Sequence, residues 1–107
     1  MHGKKAMKHF LLIISTLLTT SVPAWADQAL ATSKNCMACH AVDKKVVGPA
    51  YKDVATKYAK QKDAADMLAQ KILKGGSGVW GPVPMPANAQ VSPAEAQKLA
   101  SWILTLK

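Results

Sequence analysis

The chain has 107 residues, with 14 basic side chains, every one a Lys, against 6 acidic ones, for a formal net charge of +8. That length holds one domain and excludes both a cleft between domains and a repeat array. Without a single Arg, the charge lacks the forked donors that read bases and phosphates, so nucleic-acid binding is set aside.

The first element in chain order is an address. Lys4, Lys5 and Lys8 precede the apolar run Phe10–Leu18, and Ala24-Trp25-Ala26 follows. A positive start, a short apolar stretch and an Ala-x-Ala site predict a secretory signal peptide over residues 1–26, cleaved before Asp27. The apolar run is about half the roughly 20 residues that a bilayer span requires, which disfavours an uncleaved anchor. The expected fate is therefore export, with no membrane span after cleavage. Cleavage removes three lysines and no acid, leaving 81 residues, 27–107, at +5. An apolar core alone is marginal at that size. The two cysteines, Cys36 and Cys39, could close only a tiny disulfide loop, so another group is needed to complete the core.

Four helices and two Gly/Pro-rich loops follow, with no strand. A short helix is predicted from Asp27 to about Asn35, its acidic start suited to a helix N-terminus. Residues 41–50 form a loop ending in Val46-Val47-Gly48-Pro49. Tyr51, Val54, Ala55 and Tyr58 then recur at i, i+3, i+4 and i+7, one face of a two-turn helix. Asp63 is the expected cap of a third helix, where Ala65, Leu68, Ala69 and Ile72 repeat that spacing until Gly75-Gly76 stops it. Residues 75–91 hold four Gly and three Pro, which exclude helix. For the last helix Ser92 is the N-cap, Pro93 the first helical position and Glu95 the partner in a capping box. Leu99, Trp102, Ile103 and Leu106 form its apolar face. The fold class is all-α.

Cys36-Met37-Ala38-Cys39-His40 carries the chemistry. Cys-x-x-Cys-His is the pattern of covalent c-type haem attachment. On one tight turn both thiols lie on the same side, within reach of two vinyl groups, and the adjacent His40 projects toward the iron as proximal ligand. Three alternatives compete. A structural zinc site needs four ligands, and only a carboxylate such as Asp43 is at hand to finish it. A thioredoxin-like redox pair needs a βαβ setting. A plain disulfide across one turn has poor geometry and closes little loop. Haem alone also accounts for the missing core.

With His40 proximal, the iron needs a second axial ligand or keeps an open site; residues 27–107 contain no other His, so the candidate ligands are methionines. Met37 lies between the two anchors and cannot cross the ring, and Met67 reads as a packing residue of the third helix. Met85 sits in Pro82-Val83-Pro84-Met85-Pro86, a stiff segment with little entropy to lose. A core filler in a Pro-rich loop is the alternative for it. His/Met ligation raises the reduction potential and leaves no open position on iron, which points to an electron carrier.

Three segments together carry a family resemblance: the Cys-x-x-Cys-His turn, Val47-Gly48-Pro49-Ala50-Tyr51-Lys52-Asp53-Val54-Ala55, and Gly78-Val79-Trp80-Gly81-Pro82-Val83-Pro84-Met85-Pro86. They resemble the small class I cytochromes c of denitrifying and nitrifying bacteria, across essentially all of residues 27–107. The resemblance implies a class I cytochrome c fold, about four helices wrapped round one covalent haem c and its iron. It implies haem attachment at Cys36 and Cys39 and iron ligation by His40 and Met85. It further implies that the Pro49 carbonyl receives the His40 ring N–H, that Asn88 orients the Met85 sulfur, and that the Trp80 indole approaches a haem propionate. Two positions depart from the pattern. Ala87 stands where relatives often have a further Pro, and Lys71 where some carry a propionate-binding Arg.

The resulting expectation is a periplasmic carrier of single electrons between respiratory redox proteins, not an enzyme. Leu68, Ile72, Leu99, Trp102 and Ile103 are the candidates to pack on the ring or on one another. Partners implied by the resemblance are larger periplasmic or membrane-bound proteins: nitrite reductase, cytochrome peroxidase, a terminal oxidase, a copper protein. Lys44, Lys45, Lys52, Lys57, Lys60 and Lys62 suit acidic patches on such partners. No long unpartnered apolar face argues for more than a monomer. The alternative function is a small haem protein whose Met ligand is displaceable, acting as peroxidase or gas binder.

Overall fold

Helices α1 (Ala24–Ser33), α2 (Tyr51–Tyr58), α3 (Ala64–Lys74) and α4 (Pro93–Thr105) follow in order, with one 3-10 turn, Cys36–Ala38, after the first. The computed structural model describes residues 15–18 and 24–107, with side chains for 15–18 and 27–107. The predicted signal segment, residues 1–26, thus lies outside the described residues apart from 15–18 and the backbone of 24–26. Among the described residues there is no strand, only two isolated antiparallel pairs, His40 with Lys45 and Gly76 with Met85. The all-α expectation is met.

The helix ends follow local chemistry, with differences from the sequence reading, the first being that α1 starts at Ala24, ahead of Asp27. The first helix stops at Ser33, short of Asn35, because Asn35 turns into the left-handed region at φ 65°. Asn is among the few non-Gly residues that adopt this conformation readily. Asp63 does occupy the position before α3, but its side chain caps nothing. Its carboxylate instead accepts from Gln61 Nε2 at 3.1 Å. At α4 the capping box forms in full: Glu95 N donates to Ser92 Oγ at 3.1 Å and Ser92 N to Glu95 Oε1 at 3.0 Å, with Pro93 in the first turn.

The other three helices all pack on α4. Its small residues Ala96 and Ala100 are fully buried, which lets neighbouring backbones approach closely. Leu99 is 1% exposed, and burying a side chain of that size stabilises by about 2 kcal/mol. Trp102 and Ile103 complete the buried face, while Leu106 is half-buried beyond the end of the helix. Met67 is half-buried against this core, as a packing residue should be. Loops 41–50 and 75–91 lie together along one side of the bundle.

Candidate functional site

The left-handed Asn35 ends α1 and starts a tight turn. Ala38 N donates to Asn35 O at 3.3 Å, and Cys36 O accepts from Cys39 N at 3.3 Å and His40 N at 3.1 Å. The turn leaves Cys36 half-buried and Cys39 exposed, with the two thiols unjoined. Burial pushes the Cys36 thiol above its ordinary value, and a hydrogen bond with Tyr51 offsets part of the effect. Burial likewise holds the Tyr51 hydroxyl above the usual phenol range, with Cys36 adding to it.

Loop 41–50 folds back on this turn. The Cys39 carbonyl accepts from Val47 N at 3.2 Å and Gly48 N at 2.8 Å. That brings Gly48 against the His40 ring, where a Cβ at residue 48 would collide with Cε1 and lie 2.8 Å from Nδ1. His40 Nδ1 is 2.8 Å from the Pro49 carbonyl oxygen. A carbonyl only accepts, so Nδ1 carries a hydrogen, and Nε2 is the ring nitrogen left to face another group. The ring also stacks on Tyr51, centroids 5.0 Å apart and planes 21° apart. Tyr51 in turn meets Trp102 edge-on at 5.6 Å.

The second half of the site is held by the end of α3. Gly76 N donates to Met85 O at 3.0 Å and Met85 N to Gly76 O at 2.8 Å, so residues 77–84 form a loop closed at its base. Gly75, at φ 71°, passes under Met85 and Ala87, and a Cβ there would strike the Met85 carbonyl. The Ile72 carbonyl, in the last turn of α3, accepts from Asn88 N at 3.2 Å and Asn88 Nδ2 at 2.8 Å. Asn88 thus satisfies a carbonyl that the helix end leaves without a helical partner.

Between the halves lies a cleft of about 330 Å³. Cys36, Cys39, His40, Pro49, Trp80, Met85 and Asn88 all line it, so all the residues expected at the site come together. Leu68 and Ile72 from α3 and Leu99 and Ile103 from α4 form its apolar wall. Trp102 packs on Tyr51 instead. Asn88 Nδ2 points to backbone oxygens, Ile72 O and, at 3.4 Å, Pro86 O. Trp80 is 41% exposed at the cleft mouth, with Lys57 Nζ 5.6 Å from its ring centre. Lys71 also lines the cleft.

The donor set fits the group implied by the motif: two free thiols on one turn, an imidazole whose Nδ1 is engaged by a carbonyl, a thioether and apolar walls. The alternatives find no support in the geometry. Among the described residues no three His, Cys, Asp or Glu side chains converge as a metal site of their own, and no sheet frames the cysteines. Sequence reasoning missed Asn35, Gly48, Gly75 and Gly76. The signal available for them was a Gly or Asn at each point where the backbone must turn left-handed or pass close to another group.

The Cytochrome c family model matches residues 27–107. The chain is 62% identical over 84 residues to cytochrome c-552 of Nitrosomonas europaea, covering 78% of this chain and 82% of that protein. It is 56% identical over 99 residues to cytochrome c-551 of Pseudomonas aeruginosa, covering 91% and 92%. The crystal structure of wild-type Nitrosomonas europaea cytochrome c552 matches with a TM-score of 0.74 and 61% identity, over 75% of this chain and 99% of that one. With an all-α class I fold built round one covalent haem c, the chain belongs to the cytochrome c family.

Proposed function

We propose that this cytochrome is a periplasmic carrier of single electrons, with haem c bound through Cys36 and Cys39 and its iron held between His40 and Met85. The observation that carries this reading is the His40 ring. Its Nδ1–H is fixed on the Pro49 carbonyl at 2.8 Å, and the ring lines the same apolar cleft as Met85. The haem supplies one-electron chemistry at its iron, and His/Met ligation favours a raised potential. The Pro49 carbonyl keeps the imidazole in one tautomer and one orientation. Leu68, Ile72, Leu99 and Ile103 exclude water from the cleft, while the Trp80 indole and Lys71 ammonium at its lining suit the propionates. Asn88 fixes the segment after Met85 and, in this reading, orients its sulfur. His40 and Met85 would hold the iron with the chain's own side chains, which supports a carrier and not an enzyme. Its partners are larger respiratory redox proteins with acidic docking patches.

The test is spectroscopic. The ferric protein should show a weak thioether-to-iron band in the far red, and the reduced protein should not bind carbon monoxide. Met85→Ala should keep haem attached by mass but lose the band, with the potential falling by about 0.1–0.3 V out of the roughly 0.8 V that axial ligands span. Ready carbon monoxide binding by the unaltered protein would instead favour a peroxidase or gas binder. An unchanged potential in the variant would remove Met85 from the iron.

A further inference from the structure

The segment with the attachment cysteines and the segment with Met85 are far apart in sequence, yet Lys34 and Gln90, 56 positions apart, join them by a reciprocal pair of hydrogen bonds. Lys34, two residues before Cys36, donates from Nζ to the Gln90 carbonyl at 3.1 Å. Gln90 Nε2 donates back to the Lys34 carbonyl at 3.0 Å. The same Nε2 donates to Asn88 Oδ1 at 3.2 Å. An amide NH2 carries two hydrogens, one for each of these oxygens.

The bond to Asn88 has a directional effect. With Oδ1 turned to Gln90, the Asn88 NH2 is left to face Ile72 O at 2.8 Å and Pro86 O at 3.4 Å. The flipped amide would set NH2 against NH2 and oxygen against the Ile72 carbonyl, losing both bonds. Gln90 thereby selects one orientation of Asn88, and Asn88 grips the end of α3 and the residue following Met85. Neither the capping box nor the apolar core uses the Gln90 side chain, which is exposed.

We propose that Gln90 is a positioning residue for the distal ligand: its amide ties the Met85 segment to the attachment turn and keeps the sulfur on the metal side of the cleft. This rests on the reading of Met85 as an iron ligand. Losing the tie raises the population in which that segment has swung away. An added ligand binds iron only in that population, so its apparent Kd falls in proportion as the open fraction rises.

The experiment is an imidazole titration of the ferric holoprotein, following loss of the far-red band, alongside thermal unfolding. Gln90→Met keeps the length and removes both donors. It should lower the apparent Kd for imidazole about fivefold, the scale set by one or two exposed hydrogen bonds. Gln90→Lys keeps N–H donors for both oxygens and should stay within about twofold of the unaltered protein, since Coulomb effects at an exposed site are small. Ser92→Ala removes a bond of the α4 capping box that involves neither Lys34 nor Gln90. It should lower Tm while leaving imidazole affinity within the same twofold range. Equal affinity in Gln90→Met and the unaltered protein overturns the proposal. So does a Ser92→Ala variant that gains affinity as much, because the tie would then be general stability alone. If the unaltered protein has no far-red band, the ligand assignment fails first and the inference falls with it.

Discussion

Gly48 illustrates how much of the site depends on an atom that is missing. The His40 ring lies where a Cβ on residue 48 would stand, 2.8 Å from Nδ1. The obstacle is a ring already fixed by the Pro49 carbonyl and the Tyr51 face, so it has little room to give way. Gly48→Ala should therefore destabilise the holoprotein by about 1–3 kcal/mol, the usual cost of overpacking. It should also shift the reduction potential, because the imidazole must turn. Thermal unfolding and a potential titration check both halves; an unmoved potential would mean that the loop, not the ring, yields. Asn35 shows a second kind of constraint, a left-handed backbone at φ 65° that a β-branched side chain would strain. The placing of Cys36, Cys39 and His40 on one turn was legible in the sequence because spacing along a single turn is a local matter. Gly48 was not legible as a support for His40, because the close approach is made by a loop returning from beyond the motif.

Among the elements, α4 was the most readable, and its start shows why. Ser92, Pro93 and Glu95 act on one another within a single turn, so pattern and structure coincide. Ser92→Ala should cost about 1 kcal/mol in chemical denaturation. Glu95 adds a pH dependence. The Ser92 backbone N–H, then Lys34, hold its carboxyl below the ordinary value. A lowered folded-state value means that the stabilisation is present above the unfolded-state pKa and is lost as pH falls through the folded one. The Tm advantage of the unaltered protein over Glu95→Gln should therefore be largest near neutrality and shrink below about pH 4.3, the usual Glu value. A constant gap across that range would contradict the assignment. Asp63 marks the opposite case. It stands where a cap should be, but the nearby Gln61 amide takes its carboxylate, and local spacing does not reveal which donor wins. The ties that hold the Met85 segment, Asn88 on Ile72 and Gln90 on Lys34, were equally invisible because each joins distant parts of the chain.

Across the whole molecule, the lysine cluster seen in the sequence separates into distinct groups. Lys52 is paired with Asp43 at 2.7 Å. Lys45 and Lys71 line the cleft, and Lys57 covers the Trp80 ring at its mouth. Positive charge near the mouth should steer an acidic partner toward it, and exposed charges are screened beyond about 8 Å at physiological salt. The second-order rate of electron exchange with such a partner should fall by about tenfold or more between low ionic strength and 0.5 M salt. A rate indifferent to salt in stopped-flow would remove steering from the account. One more property belongs to the molecule as a whole. His40, Tyr51 and Trp102 form a continuous aromatic column from the attachment turn through α2 to α4. Helix α4, far from the attachment turn in sequence, is therefore the footing on which the His40 imidazole leans. Damage to that helix, such as a proteolytic nick that frees Trp102, would register first as a change of colour.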